Sequence, residues 1–257
     1  MLALMPPAPL EKAEFFARLR AVGEQHYHDR HPFHARMNAG ELSRDDVRLW
    51  AVNRYYYQRS IPLKDAAILS NCPDREVRRR WIERILDHDG RAAGEGGIEA
   101  WLRLCTAVGA TREEADSERL VLPGVRFAVD AYVTLARARP WIEAIASSLT
   151  ELFAPTLMSK RLAAFETHYT WVDREGLQYF RSRLTQAKAD SDYALPLVLE
   201  RAVTREQQEG CVGALERKCD ILWEQLEAID RACDGTRKHA EPSPAGSGDP
   251  PVQHHER

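Results

Sequence analysis

Apolar residues recur along this chain three and four positions apart, and runs that alternate apolar with polar are nearly absent, so the pattern predicts an all-α fold. Phe16, Leu19, Gly23 and Tyr27 fall on one face of a first helix. His31-Pro32 ends it, because the residue before a proline is pushed out of helical backbone. Ser43 with Asp46 reads as a capping box that opens a second helix, whose stripe is Val47, Trp50, Ala51, Arg54, Tyr57, Gln58 and Ile61, with Pro62 kinking or restarting it. Pro73 and Asp74 open a third, with Val77, Trp81, Arg84, Ile85 and His88 on one side and Gly90 as its stop. The loop from Gly90 to Gly97 holds four glycines and reads as mobile. Further helices are predicted over 97–109, 123–139, 140–168 (kinked at Pro155), 173–188, 190–203 and 204–232, enough to bury a central one. No internal repeat or earlier boundary interrupts residues 1–233, which read as a single domain. Residues 234–257, with four prolines, three glycines and Val252 as the one large apolar side chain, read as a disordered tail or linker.

The informative departures from this pattern are charges on apolar stripes. Arg54 and Gln58 lie one turn apart inside a stripe, as do Arg84 and His88, and Tyr179 and Arg183. Lys218 falls between Leu215 and Leu222, and Glu151, Met158 and Arg161 share a face of the kinked helix. Burying an unpaired cation costs several kcal/mol, so each needs a partner, water or a ligand. Taken singly, each cation reads as a structural ion pair with Asp65, Asp87 or Glu151, or as a side chain snorkelling to solvent. Taken together, Arg54, Lys64, Arg84, Arg161, Arg183 and Lys218 are six cations against three evident carboxylates, which favours a small molecule carrying several carboxylates.

Composition narrows the alternatives. The 257 residues carry 36 Lys and Arg against 39 Asp and Glu, a net charge of −3 without the basic footprint of a nucleic-acid binder. No apolar run is long enough to span a membrane, and Met1 to Pro9 lacks the features of a secretory signal, so a cytoplasmic location is expected. The five cysteines show no C-x-x-C spacing and read as reduced thiols. The sequence lacks Glu-x-x-His, His-Glu-x-x-His, P-loop, dinucleotide and nucleophile-elbow motifs, so neither a metal nor a nucleotide cofactor is expected. His26, His28, His31 and His34 run into Pro32 at uneven spacing and read as a surface or partly functional cluster spread around a helix end. What remains is a cavity rich in cations, aromatics and histidines. His28 and His88 are candidates for proton exchange, and Tyr27, Tyr57, Tyr132 and Tyr179 for orienting hydrogen bonds, although tyrosines at this spacing are as readily core.

Six stretches in order resemble the pyrroloquinoline-quinone synthase (PqqC) family. They are Asn53-Arg54-Tyr55-Tyr56-Tyr57-Gln58, Ile61-Pro62-Leu63-Lys64-Asp65-Ala66-Ala67, Asp87-His88-Asp89-Gly90, Gly96-Gly97-Ile98-Glu99, Ser147-Ser148-Leu149-Thr150-Glu151-Leu152-Phe153 and Tyr179-Phe180-Arg181-Ser182-Arg183-Leu184. The likeness covers about residues 11–232. It implies a helical fold similar to haem oxygenase and TenA proteins, outer helices around a buried one, and a homodimer. It further implies the last step of pyrroloquinoline quinone (PQQ) synthesis, in which a ring-open polycarboxylate precursor is closed and oxidised by eight electrons. O2 is the oxidant, hydrogen peroxide is released, and no metal or organic cofactor takes part.

Carried over by motif, the resemblance implies substrate binding by Tyr27, His28, Arg54, Gln58, Lys64, Arg84, Glu151, Arg161 and Lys218, with Tyr132 in the same set. It implies proton transfer by His88, with His28 also in the catalytic set, and places Tyr179 and Arg183 beside oxygen. Many members carry a histidine three residues beyond the proline of Glu-Leu-Phe-Ala-Pro, at the oxygen site. Here that position is Met158, which can neither donate a hydrogen bond nor shuttle a proton. Some members continue through a linker into a peptide-binding PqqD domain, which makes a PqqD-like module a candidate partner of the tail. Two readings stay open beside the oxidase: a carrier that binds the quinone without oxidising it, and a TenA-like hydrolase. The hydrolase would need a cysteine with a basic partner, a spacing none of the cysteines offers.

Overall fold

The computed structural model describes residues 7–240. It is helical, with no strand among the described residues. The chain begins with α1 (Lys12–His26), a 3-10 turn (His28–Arg30) and α2 (Pro32–Ala39), followed by α3 (Arg44–Asn71), α4 (Arg75–Asp89) and α5 (Gly96–Ala107). Then come α6 (Arg112–Asp116), α7 (Pro123–Ala138), α8 (Trp141–Ala146), a 3-10 segment (Ser147–Leu152) and α9 (Ala154–His168). A second 3-10 turn (Arg174–Leu177) leads into α10 (Gln178–Arg201) and α11 (Arg205–Ala240). The central helix is α3, which α4, α5, α7 and α11 all pack against. No residue from Trp50 to Pro62 is exposed, so the predicted stripe widens to nearly the whole circumference. Pro62 neither ends nor restarts α3: the ladder continues past the one hydrogen bond that proline cannot donate. The predicted capping box is present, with Ser43 Oγ accepting from Asp46 N and Asp46 Oδ2 from Ser43 N.

Elsewhere the structure redraws the predicted elements. The proline that ends the first helix also begins another, because a proline suits the first helical position. His31 Nδ1 caps α2 by accepting from Phe33 N, and Gly40 closes it with φ of 76°. The buried face of α1 uses Phe15, Leu19, Val22 and Gly23, with Phe16 only half-buried. A 3-10 segment replaces a plain kink before Pro155. The two helices predicted over 173–203 are one from Gln178 on, because Ala187, Ala194 and Val198 keep a buried stripe through the polar run at 188–192. The last helix reaches Ala240, beyond the predicted end at 232, so 234–240 are helical and not tail. Residues 241–257, where the rest of the predicted tail falls, lie outside the described residues.

Candidate active site

The 3-10 segment, α3, α4 and α10 bring three cations and three carboxylates together. Lys64 Nζ donates to Asp65 Oδ1 at 2.5 Å and to Ser148 Oγ at 3.1 Å. The same Asp65 oxygen accepts from Trp81 Nε1 at 2.9 Å and lies 3.6 Å from Arg84 Nε. Arg84 also faces Asp190 at 2.7 Å and Glu151 at 3.6 Å, and Arg183 Nη2 reaches Glu151 at 2.7 Å and Asp190 at 3.2 Å. Burial alone would raise the Glu151 carboxyl, but Arg183 and Arg84 outweigh it and hold the group down at about 2. Burial likewise opposes ionisation of Asp65, and Lys64 with Arg84 reverses that. This half of the site is electrically balanced among its own side chains.

The other half is not. Arg54, Arg161 and Lys218 form no ion pair with a carboxylate among the described residues; aromatic faces and neutral acceptors surround them. Lys218, on α11 and fully buried, donates to Tyr57 Oη at 2.7 Å, and its Nζ lies 3.3 Å from the Tyr132 ring centre. Arg54 stands 3.8 Å over Tyr57 and donates to Gln225 Oε1 at 3.1 Å. Arg161 lies 5.1 Å over Trp50, with Nη2 3.2 Å from His34 Nδ1 and Nη1 3.9 Å from Met158 Sδ. Cation–π contact offsets part of the desolvation but not all of it. Burial, then Arg54 and Lys64, push the Lys218 ammonium well below its ordinary value, and burial with Arg54 brings Arg161 down to about 9. Arg161 Nε and His28 Nδ1 are buried without a hydrogen-bond partner among the described residues. A buried guanidinium N–H without an acceptor and unpaired cations facing one another are the complement of an anionic, hydrogen-bond-accepting ligand.

Between the halves stand His88, Tyr179 and Gln58. His88 Nδ1 is 2.9 Å from the Arg84 carbonyl, which can only accept, so Nδ1 carries the proton and Nε2 is left as a free base. Burial, then the nearby Arg183, lowers His88 to about 4, so the imidazole is neutral near pH 7. Tyr179 Oη donates to Gln58 Oε1 at 2.9 Å. A Cβ on Gly97 would lie 3.5 Å from both the His88 and Tyr179 rings, so the start of α5 packs where these two side chains meet. Gly90 and Gly96 take φ of 83° and 86°, the left-handed region that admits glycine, and together fold the loop back over the end of α4.

The candidate catalytic and substrate-binding residues are buried except Arg54 and Glu151, which are half-buried, and Tyr27 lies edge-on to His28 at 4.6 Å; of the loop glycines Gly90, Gly96 and Gly97 are half-buried and Gly94 is exposed. Three expectations change. Asp87 joins no ion pair of the cluster and lines a surface cleft, and Asp190 takes its place. Asp190 was masked by the predicted break after residue 188. On an unbroken helix it falls seven residues, or two turns, beyond Arg183 and on the same face. Glu151 and Met158 do not share a helix: Glu151 belongs to the 3-10 segment and the balanced half, Met158 to α9 beside Arg161. The histidines do not form a surface cluster: His28, His31 and His34 are buried and only His26 is exposed. Of these, His34 meets Arg161 and stacks edge-on against His28 at 5.0 Å. Among the described residues no three His, Cys, Asp or Glu side chains are placed to hold a metal ion.

Residues 16–228 match the model of the TENA/THI-4/PQQC family. The chain belongs to this family. It is 55% identical over 228 residues to a pyrroloquinoline-quinone synthase of Ectopseudomonas mendocina, covering 89% of this chain and 91% of that protein. A synthase of the same name from Cronobacter sakazakii is 56% identical over 219 residues, 85% of this chain and 87% of that protein. The resemblance read from the six motifs is thereby borne out. Among solved structures, a Shewanella denitrificans domain with a heme oxygenase-like fold superposes with a TM-score of 0.70 at 11% identity, over 90% of this chain and 94% of that one. A TenA homologue from Pseudomonas syringae superposes with a TM-score of 0.68 at 14% identity, over 89% and 99%. Both share the fold expected from the motifs. No helix among the described residues is long and apolar enough to cross a membrane.

Proposed function

We propose that this protein is an enzyme of PQQ biosynthesis that closes and oxidises the ring-open precursor, with O2 as electron acceptor and hydrogen peroxide as a product. The observation that carries this reading is the unbalanced half of the site. Arg54, Arg161 and Lys218 are cations without a carboxylate partner among the described residues, set among aromatic rings, as a planar polycarboxylate quinone requires. The names borne by relatives more than 50% identical over most of the chain support the same substrate class.

In this reading Arg54, Arg161 and Lys218 take ligand carboxylates, and the ring system lies against Tyr57, Tyr132 and Tyr27. His88, neutral and with Nε2 free, removes protons from the precursor as it is oxidised. An electron-rich quinol reduces oxygen directly, so the protein's task is to bind, deprotonate and exclude water; Tyr179 and Arg183 lie on the side assigned to oxygen. The active form is a homodimer in the cytoplasm, and a PqqD-like module is the candidate partner of the C-terminal segment.

The test is to mix the protein anaerobically with the reduced ring-open precursor and then admit oxygen. Oxygen uptake, peroxide release and the rise of quinone absorbance are expected together. Binding without oxygen uptake would make the protein a carrier.

A further inference from the structure

Arg84 is rich in opposite charge and poor in hydrogen bonds. It faces Asp190 at 2.7 Å and Asp65 and Glu151 at 3.6 Å, yet its buried Nε and Nη1 make no hydrogen bond with any described residue. Asp190 is thus close enough to neutralise the guanidinium but is not aligned with its N–H bonds. Such buried donors remain available to a better-placed acceptor.

The position of this pair gives that availability a use. Arg84 and Asp190 line a cleft of about 350 Å³ between α4 and α10, flanked by Arg79, Arg80, Glu83 and Tyr193. Behind them Arg84 and Arg183 join Glu151, Asp65 and Lys64. Three cations and three carboxylates leave no charge there for an additional anion, so a ligand carboxylate reaching the arginines must displace one already present. Asp65 is fully buried and held by Lys64 and Trp81 as well. Of the three carboxylates in the cluster Asp190 is the one that borders the cleft, where it can turn out and be hydrated. Burial keeps its carboxyl above the ordinary value even with two guanidiniums nearby, as for an anion held loosely.

We propose that Asp190 is a tethered stand-in for a ligand carboxylate, neutralising Arg84 and Arg183 in the free protein and displaced into the cleft when the ligand's own carboxylate takes its place. The inference rests on the polycarboxylate reading above. It makes Asp190 a specificity-determining residue: an anion unable to offer Arg84 an aligned acceptor does not displace it.

The test is a titration of the full chain with PQQ. Asp190→Asn removes the competing charge while keeping the shape, and should bind PQQ about tenfold more tightly, the order expected for one hydrogen-bonded charge. Glu83→Gln, on an exposed residue paired with Arg91, removes the same charge from the cleft rim and should change affinity less than about twofold, as expected of a screened surface charge. Should Asp190→Asn fail to fold, Asp190→Ser carries the same comparison. An Asp190 variant that binds no more tightly than the parent, or a gain matched by Glu83→Gln, overturns the stand-in while leaving the functional reading intact. If the parent itself does not bind PQQ, the functional reading falls and the inference with it.

Discussion

Lys218→Met separates a ligand-binding cation from a structural one. The ammonium is fully buried, touches Tyr57 Oη and the Tyr132 and Tyr57 rings, and is depressed well below the ordinary lysine value by burial and by Arg54 and Lys64. Because the folded chain holds this proton less tightly than the unfolded chain, Lys218 disfavours the fold at every pH below the lysine range, and the penalty fades as pH rises toward it. Methionine fills a similar volume and removes that penalty, at the cost of leaving Tyr57 Oη without its donor, about 1–3 kcal/mol. The two effects oppose each other, so unfolding free energy in urea should change by no more than about 1–2 kcal/mol in either direction. Binding should behave differently. Losing one hydrogen bond between charged groups removes about 1.5–3 kcal/mol, or roughly tenfold to a hundredfold in the PQQ dissociation constant. A ligand carboxylate opposes the burial and the cations that depress Lys218, so any proton uptake on binding, read by calorimetry in buffers of different ionisation heat, should be lost in Lys218→Met. A variant that binds PQQ like the parent, or one that loses several kcal/mol of stability, would refute the reasoning and return Lys218 to the core.

His88→Ala should bind ligand but stall before full oxidation, with an intermediate visible by absorbance; turnover at the parent rate would make His88 an ordinary buried histidine. Its folded pKa of about 4 lies below the unfolded value near 6.5, so its contribution of roughly 3 kcal/mol is present above pH 6.5 and lost as pH falls toward 4, which urea unfolding across that window measures. Asp65→Asn leaves Lys64 and Arg84 without their shared anion and should destabilise the fold by about 3–5 kcal/mol in thermal or urea unfolding, whereas a loss under about 1 kcal/mol would mean that the cluster is not a unit. Met158→His should leave PQQ affinity nearly unchanged and speed, or leave alone, the phase that follows oxygen addition, while Arg183→Ala slows that phase; loss of binding in Met158→His would misplace Met158.

Local patterning made much of this protein legible in its sequence. The all-α class, the capping box at Ser43 and Asp46, the start of α4 at Asp74 and its stop at Gly90 all follow from forces acting within a turn or two. So does the presence of cations on apolar stripes, because helical periodicity dictates that Arg84 and His88 share a face with Trp81. The outcome at prolines was not legible: Pro32 begins a helix, fitted to its first position and capped by His31, and Pro62 is absorbed by one that is packed on nearly every side. Nor could the sequence say which carboxylate answers which cation. Of the three candidates Asp65, Asp87 and Glu151, the first and last do face Arg84, whereas Asp87, within a turn of it in sequence, lines the surface cleft. The nearest carboxylate to Arg84 is Asp190, over a hundred residues away on α10, since an ion pair depends on distance in space and not along the chain. The division of the cations into a balanced half and an unpaired half exists only once α3, α4, α9, α10 and α11 are packed together.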